Sequence, residues 1–247
     1  MTYCVAIQLD KGLVFAADSR THAGVDNIAS FRKMTVWQPG DRVIVMLSAG
    51  NLALTQSVVT LLDNGVDTGG GAKESFLTVP DMYGAARLAG SAIREIYRLD
   101  GPALRTQGAD FNVSFILGGQ IGQGGMRLFQ IYSAGNFIEA TRETPYFQMG
   151  EVKYGKPIID RIIRPSTSLR AAAKCALISM DSTLRSNLSV GMPVDLAIHR
   201  KDAAKLAVLQ QIEETDHYFR ALRQAWMDGL RNAFKELPDP AWLNGGD

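Results

Sequence analysis

Three residues near the start of the chain have types and spacing that could do chemistry: Thr2, Asp18 and Lys33. Thr2 becomes the first residue once the initiator methionine is removed, and aminopeptidases cut readily before a residue this small. An exposed N-terminal threonine carries its own base, because a free α-amine has a pKa of about 7.7 to 8.0 and can take the hydroxyl proton directly or through one water. A lysine beside that amine lowers its pKa by like-charge repulsion, and a carboxylate keeps the lysine charged and oriented.

The elements around these residues are what could bring them together. Tyr3 to Leu9 and Leu13 to Ala17 are apolar runs split by Asp10-Lys11-Gly12, the signature of a tight hairpin. The hairpin returns the chain to its origin and sets Asp18 close to Thr2. Lys33 stands just before the apolar run Met34 to Trp37, from which it can point to the same spot. The polar stretch Thr21 to Ser30, with His22 in it, reads as a loop. His22 is weighed as a surface residue rather than part of a specificity pocket.

The ordered set Thr2, Asp18 in FAADSR, Lys33 in FRKM and Gly50 in SAGN, with the later MGEVKYGKPIIDR, resembles the proteasome β subunits, which are N-terminal nucleophile hydrolases. The wording of the first 34 residues is closer still to their bacterial homologues of the Anbu family, and the likeness covers nearly the whole chain. The resemblance implies a threonine peptidase. In it Thr2 attacks, the α-amine tuned by Lys33 and Asp18 moves the proton, and the Gly50 N–H stabilises the oxyanion, a contribution of roughly 2.7 to 4 kcal/mol for such donors.

In that family a glycine at the Gly50 position is explained by the close passage of substrate. Asp181 matches an aspartate that supports the amine, against an equal reading as a helix-end charge, and Ser182 and Ser189 are both possible equivalents of a nearby serine. Where the β subunits place a serine in a glycine-serine-glycine turn, this chain has Met149-Gly150-Glu151. Glu151 cannot donate a hydroxyl proton, but it can accept from the amine or pair with Lys33 or Lys153. The family also implies self-assembly into a ring or open ring, peptide or unfolded protein as substrate, and no cofactor or metal. It leaves open whether an ATP-dependent unfoldase takes part. Thr21 to Ala29 and Ser48 to Leu52 would line the cleft. Two further readings stay open: an oligomeric scaffold that binds peptides and hydrolyses little, favoured by Glu151 in place of serine, and a hydrolase of a small non-peptide amide.

Composition sets outer bounds. With 26 basic and 25 acidic residues the chain has no electrostatic footprint for nucleic acid or an anionic membrane. Cys4 and Cys175 lie far apart without metal-ligand spacing, and no apolar window is long enough for a membrane span, so a cytoplasmic setting is expected. At 247 residues and 46% hydrophobic the chain reads as a single domain, 1–247, with 202–236 a C-terminal helical extension capped by Asp202.

Along the rest of the chain, Asn51, Asp81 and Ser168 mark helix starts, with the second helix ending near Arg98. Asp63 to Thr78 reads as a surface excursion, Asn112 to Thr141 as a glycine-punctuated meander, and Gly150 to Ile163 as a helix broken at Pro157. Strands and helices do not alternate, which excludes a doubly wound parallel sheet. Two antiparallel sheets covered by helices on both outer faces fit the order. That αββα sandwich, an α+β fold, is also what the resemblance implies.

Overall fold

The computed structural model describes residues 1–22, 28–67, 69, 71–240 and 242. Strands β1 (Tyr3–Leu9) and β2 (Gly12–Asp18) form the expected hairpin, in register from Cys4 opposite Ala17 to Leu9 opposite Gly12, with Asp10 and Lys11 as its turn. Within the stretch read as a loop, β3 (Arg20–His22) and β4 (Ile28–Ser30) pair with each other. The rest of that loop, 23–27, and the side chain of His22 lie outside the described residues. β5 (Met34–Trp37) and β6 (Arg42–Gly50) follow, then α1 (Leu52–Asn64), the small pair β7 (Val66–Asp67) and β8 (Lys73–Glu74), and α2 (Met82–Thr106). The meander is β9 (Val113–Ile121), β10 (Arg127–Ile131) and β11 (Phe137–Glu139). β12 (Tyr146–Gly150), α3 (Val152–Ile162), α4 (Leu169–Ser186), β13 (Val194–Arg200) and β14 (Val208–Ile212) complete the series before α5 (His217–Lys235).

Two five-stranded antiparallel sheets, ordered β12-β1-β2-β13-β14 and β11-β10-β9-β6-β5, face each other, giving the four-layer αββα sandwich of an α+β fold. Alternation along β6 shows why. Val45 and Leu47 point inward to meet Ala6, Phe15 and Ile116, while Ile44 and Met46 point outward under Val58 and Leu62 of α1 and Ala89 and Ile93 of α2. Each such fully buried Val, Leu, Ile or Phe contributes about 1.5 to 3 kcal/mol. α3 and α4 cover the opposite side, on β1, β2 and β12. Cys4 and Cys175 are free, buried thiols. Among the described residues no helix is long and apolar enough to cross a membrane.

Several local readings need correction. α2 does not stop near Arg98 but runs through Gly101-Pro102 to Thr106, because Leu104 in the added turn still packs on the outer core. α3 continues unbroken through Pro157, with Gly155 and Ile159 buried on either side of it. Asp202 caps no helix. It sits at φ 61° and exchanges hydrogen bonds with Gln120, and the chain then forms β14. The final helix starts at His217, capped by Asp216, whose side chain accepts from Phe219 N at 2.7 Å.

The chain divides into two compact units, Met1–Glu213 and Glu214–Asp247. The sandwich is the first. The second contains α5, on which Leu230 and Phe234 are exposed.

Candidate active site

The hairpin does what its sequence suggests: it returns Asp18 to the start of β1, where the Tyr3 N–H donates to Asp18 Oδ1 at 2.9 Å. Lys33, directly ahead of β5, turns its ammonium to the same oxygen at 2.7 Å. The same Nζ donates to Arg20 O at 2.7 Å and to Met1 O at 3.2 Å, so all three donors of the ammonium are used. The pair is buried, with the Lys33 side chain 7% exposed and that of Asp18 at 0%. β6 fixes the backbone of Lys33, since Ser48 N donates to Lys33 O at 2.8 Å.

Charge in this pocket is balanced by named groups. Burial pushes the Asp18 carboxyl pKa up, and the Lys33 ammonium with the N–H groups of Tyr3 and Gly191 draws it back. The terminal amine, which here belongs to Met1, is held below its ordinary 8.0 by burial and then by Lys33, with Asp18 and Glu151 pulling the other way.

Thr2 itself is buried and lies against the end of β12. Gly150 has φ 80°, and a Cβ on it would stand 1.8 Å from Thr2 O. The next residue, Glu151, donates its N–H to that oxygen at 2.8 Å. From the other side Tyr3, which follows Thr2, is anchored through its hydroxyl. It donates to Ser179 Oγ of α4 at 3.1 Å and accepts from Gln148 Nε2 of β12. That buried phenol is pushed up to about 12, so it stays a donor.

Thr2, Lys33, Gly50 and Glu151 line one cleft of about 690 Å³, with Thr21, Ser48, Ala49, Asn51 and Leu52. The expected stretch Ser48 to Leu52 is therefore there. Of Thr21 to Ala29, Thr21 is there, and residues 23–27 lie outside the described chain. Asn112, Ser114 and Thr55 also line it and had no sequence signal. Glycine at position 50 is required by the fold itself. Its φ is 110°, and a Cβ would meet Asn112 O at 2.2 Å, so the backbone just ahead of β9 excludes a side chain whether or not substrate is bound.

Asp181 is buried on α4, where Arg185 Nε approaches to 3.3 Å. Of the two serines weighed, Ser182 lies on α4, and Ser189 on the loop that reaches Gly191. Gly191 was not anticipated: its N–H donates to Asp18 Oδ2 at 3.3 Å. The loop is held in place by Arg20, whose Nη1 donates to Leu188 O at 3.0 Å. Backbone groups such as Arg20 O and Gly191 N–H leave no residue signature to find.

Chemically, the arrangement offers a hydroxyl near a chain start, a fixed cation on the carbonyl of Met1, an orienting carboxylate and an adjoining cleft. Comparison with family models and with curated proteins returns no match. Solved structures do match. An Anbu mutant from a Hyphomicrobium species is 52% identical over 97% of this chain and 99% of its own, with a TM-score of 0.88. Anbu (ancestral beta-subunit) from Yersinia bercovieri is 51% identical over 96% and 99%, also at 0.88. The helical assembly of the Anbu complex from Pseudomonas aeruginosa is 47% identical over 98% and 100%, at 0.90.

Proposed function

Because the chain belongs to the Anbu family of proteasome β-subunit homologues, we propose that it is an N-terminal threonine peptidase, acting after Met1 is removed. The observation that carries this reading is the buried Lys33 ammonium, bound to Asp18 at 2.7 Å and to the carbonyl of Met1 at 3.2 Å. A cation kept this close to the chain start should depress the basicity of the Thr2 amine once Met1 is removed, toward the range a general base needs.

In the proposed cycle the Thr2 amine takes the Oγ–H proton as Oγ bonds to the peptide carbonyl carbon. The Gly50 N–H receives the negative oxygen. Collapse breaks the C–N bond, the amine returns its proton to the leaving group, and water then hydrolyses the ester on Thr2. Asp18 keeps Lys33 charged and placed. Asp181 is proposed to support the same site from α4. The named helical assembly of the Pseudomonas relative supports self-association of this chain as its working form, with peptides or unfolded segments as substrate.

The test is intact mass before and after exposure to a peptide epoxyketone, which needs both a hydroxyl and a free amine on one residue. We expect loss of one methionine and gain of one adduct, with no adduct on Thr2→Ala. The neutral amine is the competent form, so adduct formation should fall as pH drops through its pKa, which a lysine this near the chain start should hold below the ordinary range of a terminal amine. Loss of methionine without any adduct would overturn the reading and favour the peptide-binding scaffold.

A further inference from the structure

Glu151 stands at the N-cap of α3, yet its side chain makes no capping hydrogen bond. The caps of α1, α2 and α4 all use theirs: Asn51, Asp81 and Ser168 accept from backbone N–H groups of the first turn. Glutamate is not among the residues favoured at this position, and here its carboxylate is left for another use. The side chain is only 13% exposed and lines the cleft that holds Met1 and Thr2. Its position is dictated by the backbone, since Glu151 N–H is bonded to Thr2 O and Gly150 is pressed against the same carbonyl. The ion pair it makes with Lys153 is long, at 3.5 Å, and the Lys153 side chain is 68% exposed, so that partner holds it weakly.

Asp18 is not available to the amine in the same way. Its Oδ1 receives Lys33 and the Tyr3 N–H, and its Oδ2 receives the Gly191 N–H. Among the described residues, the charged groups that face the chain start are Asp18 from β2, Lys33 ahead of β5 and Glu151 ahead of α3, with Lys153 behind Glu151. Of these two carboxylates, Glu151 is thus the one with capacity to spare.

We propose, resting on the threonine-peptidase reading, that the Glu151 carboxylate positions the Thr2 α-amine and pairs with the ammonium form it adopts during the reaction. In the attack step the Oγ–H proton moves to the amine, Oγ bonds to the carbonyl carbon, and the carbonyl π pair goes to oxygen. The new ammonium faces Glu151 until the proton leaves with the departing amine. Glu151 neither gains nor loses a proton. A hydroxyl could position the amine but not balance its charge, and the charge needs balancing because Lys33 is already present on the same side. Loss of the carboxylate should therefore make the amine less basic.

The experiment uses chain released from a cleavable N-terminal fusion so that Thr2 is the first residue. The pH dependence of acetic anhydride labelling of the α-amine, read by mass spectrometry of the N-terminal peptide, gives the amine midpoint without any need for catalysis. Peptide epoxyketone adduct rates are measured over the same pH range. Glu151→Gln should lower the labelling midpoint by about one pH unit and move the acid limb of adduct formation by the same amount, and Glu151→Asp should return both toward wild type. An unchanged midpoint in a Glu151→Gln chain with native circular dichroism would overturn the inference. Adduct on wild type with no midpoint shift defeats this inference alone. A midpoint shift with no adduct on wild type upholds the amine pairing and defeats the peptidase reading.

Discussion

β6 and β12 each deliver the chain to an outer helix through the same local device, a positive-φ glycine followed by the N-cap residue. At the first junction Gly50 has φ 110° and Asn51 caps α1, and at the second Gly150 has φ 80° and Glu151 caps α3. The two divide their groups in opposite ways. Asn51 gives its side chain to the helix, accepting from Ala53 N at 3.0 Å, and its own N–H to Asn112 O at 2.8 Å. Glu151 gives its N–H to Thr2 O and leaves its side chain to the cleft. One wall of the cleft therefore presents backbone and the other a carboxylate, although the strand-glycine-cap grammar is shared.

The largest effects should come from the glycines. A methyl on Gly150 would collide with the Thr2 carbonyl at 1.8 Å and a methyl on Gly50 with the Asn112 carbonyl at 2.2 Å, both at left-handed φ. Each alanine variant should lose roughly 4 kcal/mol or more in urea unfolding. They should part in reactivity among whatever fraction stays folded. Gly150→Ala displaces the nucleophile itself and should slow epoxyketone adduct formation about 100-fold. Equal slowing by both would show that the junctions contribute alike and break the contrast.

Lys33, which both walls flank, comes next. Lys33→Met leaves Asp18 as an uncompensated buried carboxylate, a loss of about 3 to 5 kcal/mol at neutral pH. The sign of its pH dependence follows from linkage. Without Lys33 the folded-state pKa of Asp18 rises further above its unfolded value, so the deficit should shrink as pH falls through that raised pKa and Asp18 takes a proton. Urea midpoints across the acid range would measure it. A deficit that stays constant with pH would mean the lost stability is packing by the lysine stem rather than charge.

What the sequence disclosed follows the same division between side chain and backbone. The hairpin, Asp18, Lys33 and the caps Asn51, Asp81 and Ser168 are side-chain signals tied to turns and periodicity, and they lie where expected. Arg20 O and Gly191 N–H, which complete the Lys33–Asp18 pair, are peptide groups that carry no side-chain signal. The reason for Gly50 was hidden because the excluding atom, Asn112 O, lies just ahead of β9, far along the chain. β14 was missed because Val208–Ile212 is too short to outvote a helical pattern, and its pairing with β13 is a tertiary fact.

The smallest predicted differences test the junctions most directly, because they compare the two caps rather than the two glycines. Asn51→Ala removes an acceptor that serves Ala53 N and Leu54 N, and should cost about 1 kcal/mol of stability. Glu151→Ala removes no capping bond, so what is lost is the interaction of its charge with the start of α3 and the long, exposed pair with Lys153, together about 0.5 kcal/mol in thermal unfolding. Their effects on chemistry should run in the reverse order. Asn51→Ala should leave the pH profile of adduct formation in place, since its side chain is committed to the helix. Glu151→Ala should move that profile toward acid, as the carboxylate opposing Lys33 disappears. Should Glu151→Ala instead destabilise as much as Asn51→Ala with no change in profile, the carboxylate is a helix cap after all, and the two junctions are the same device used twice.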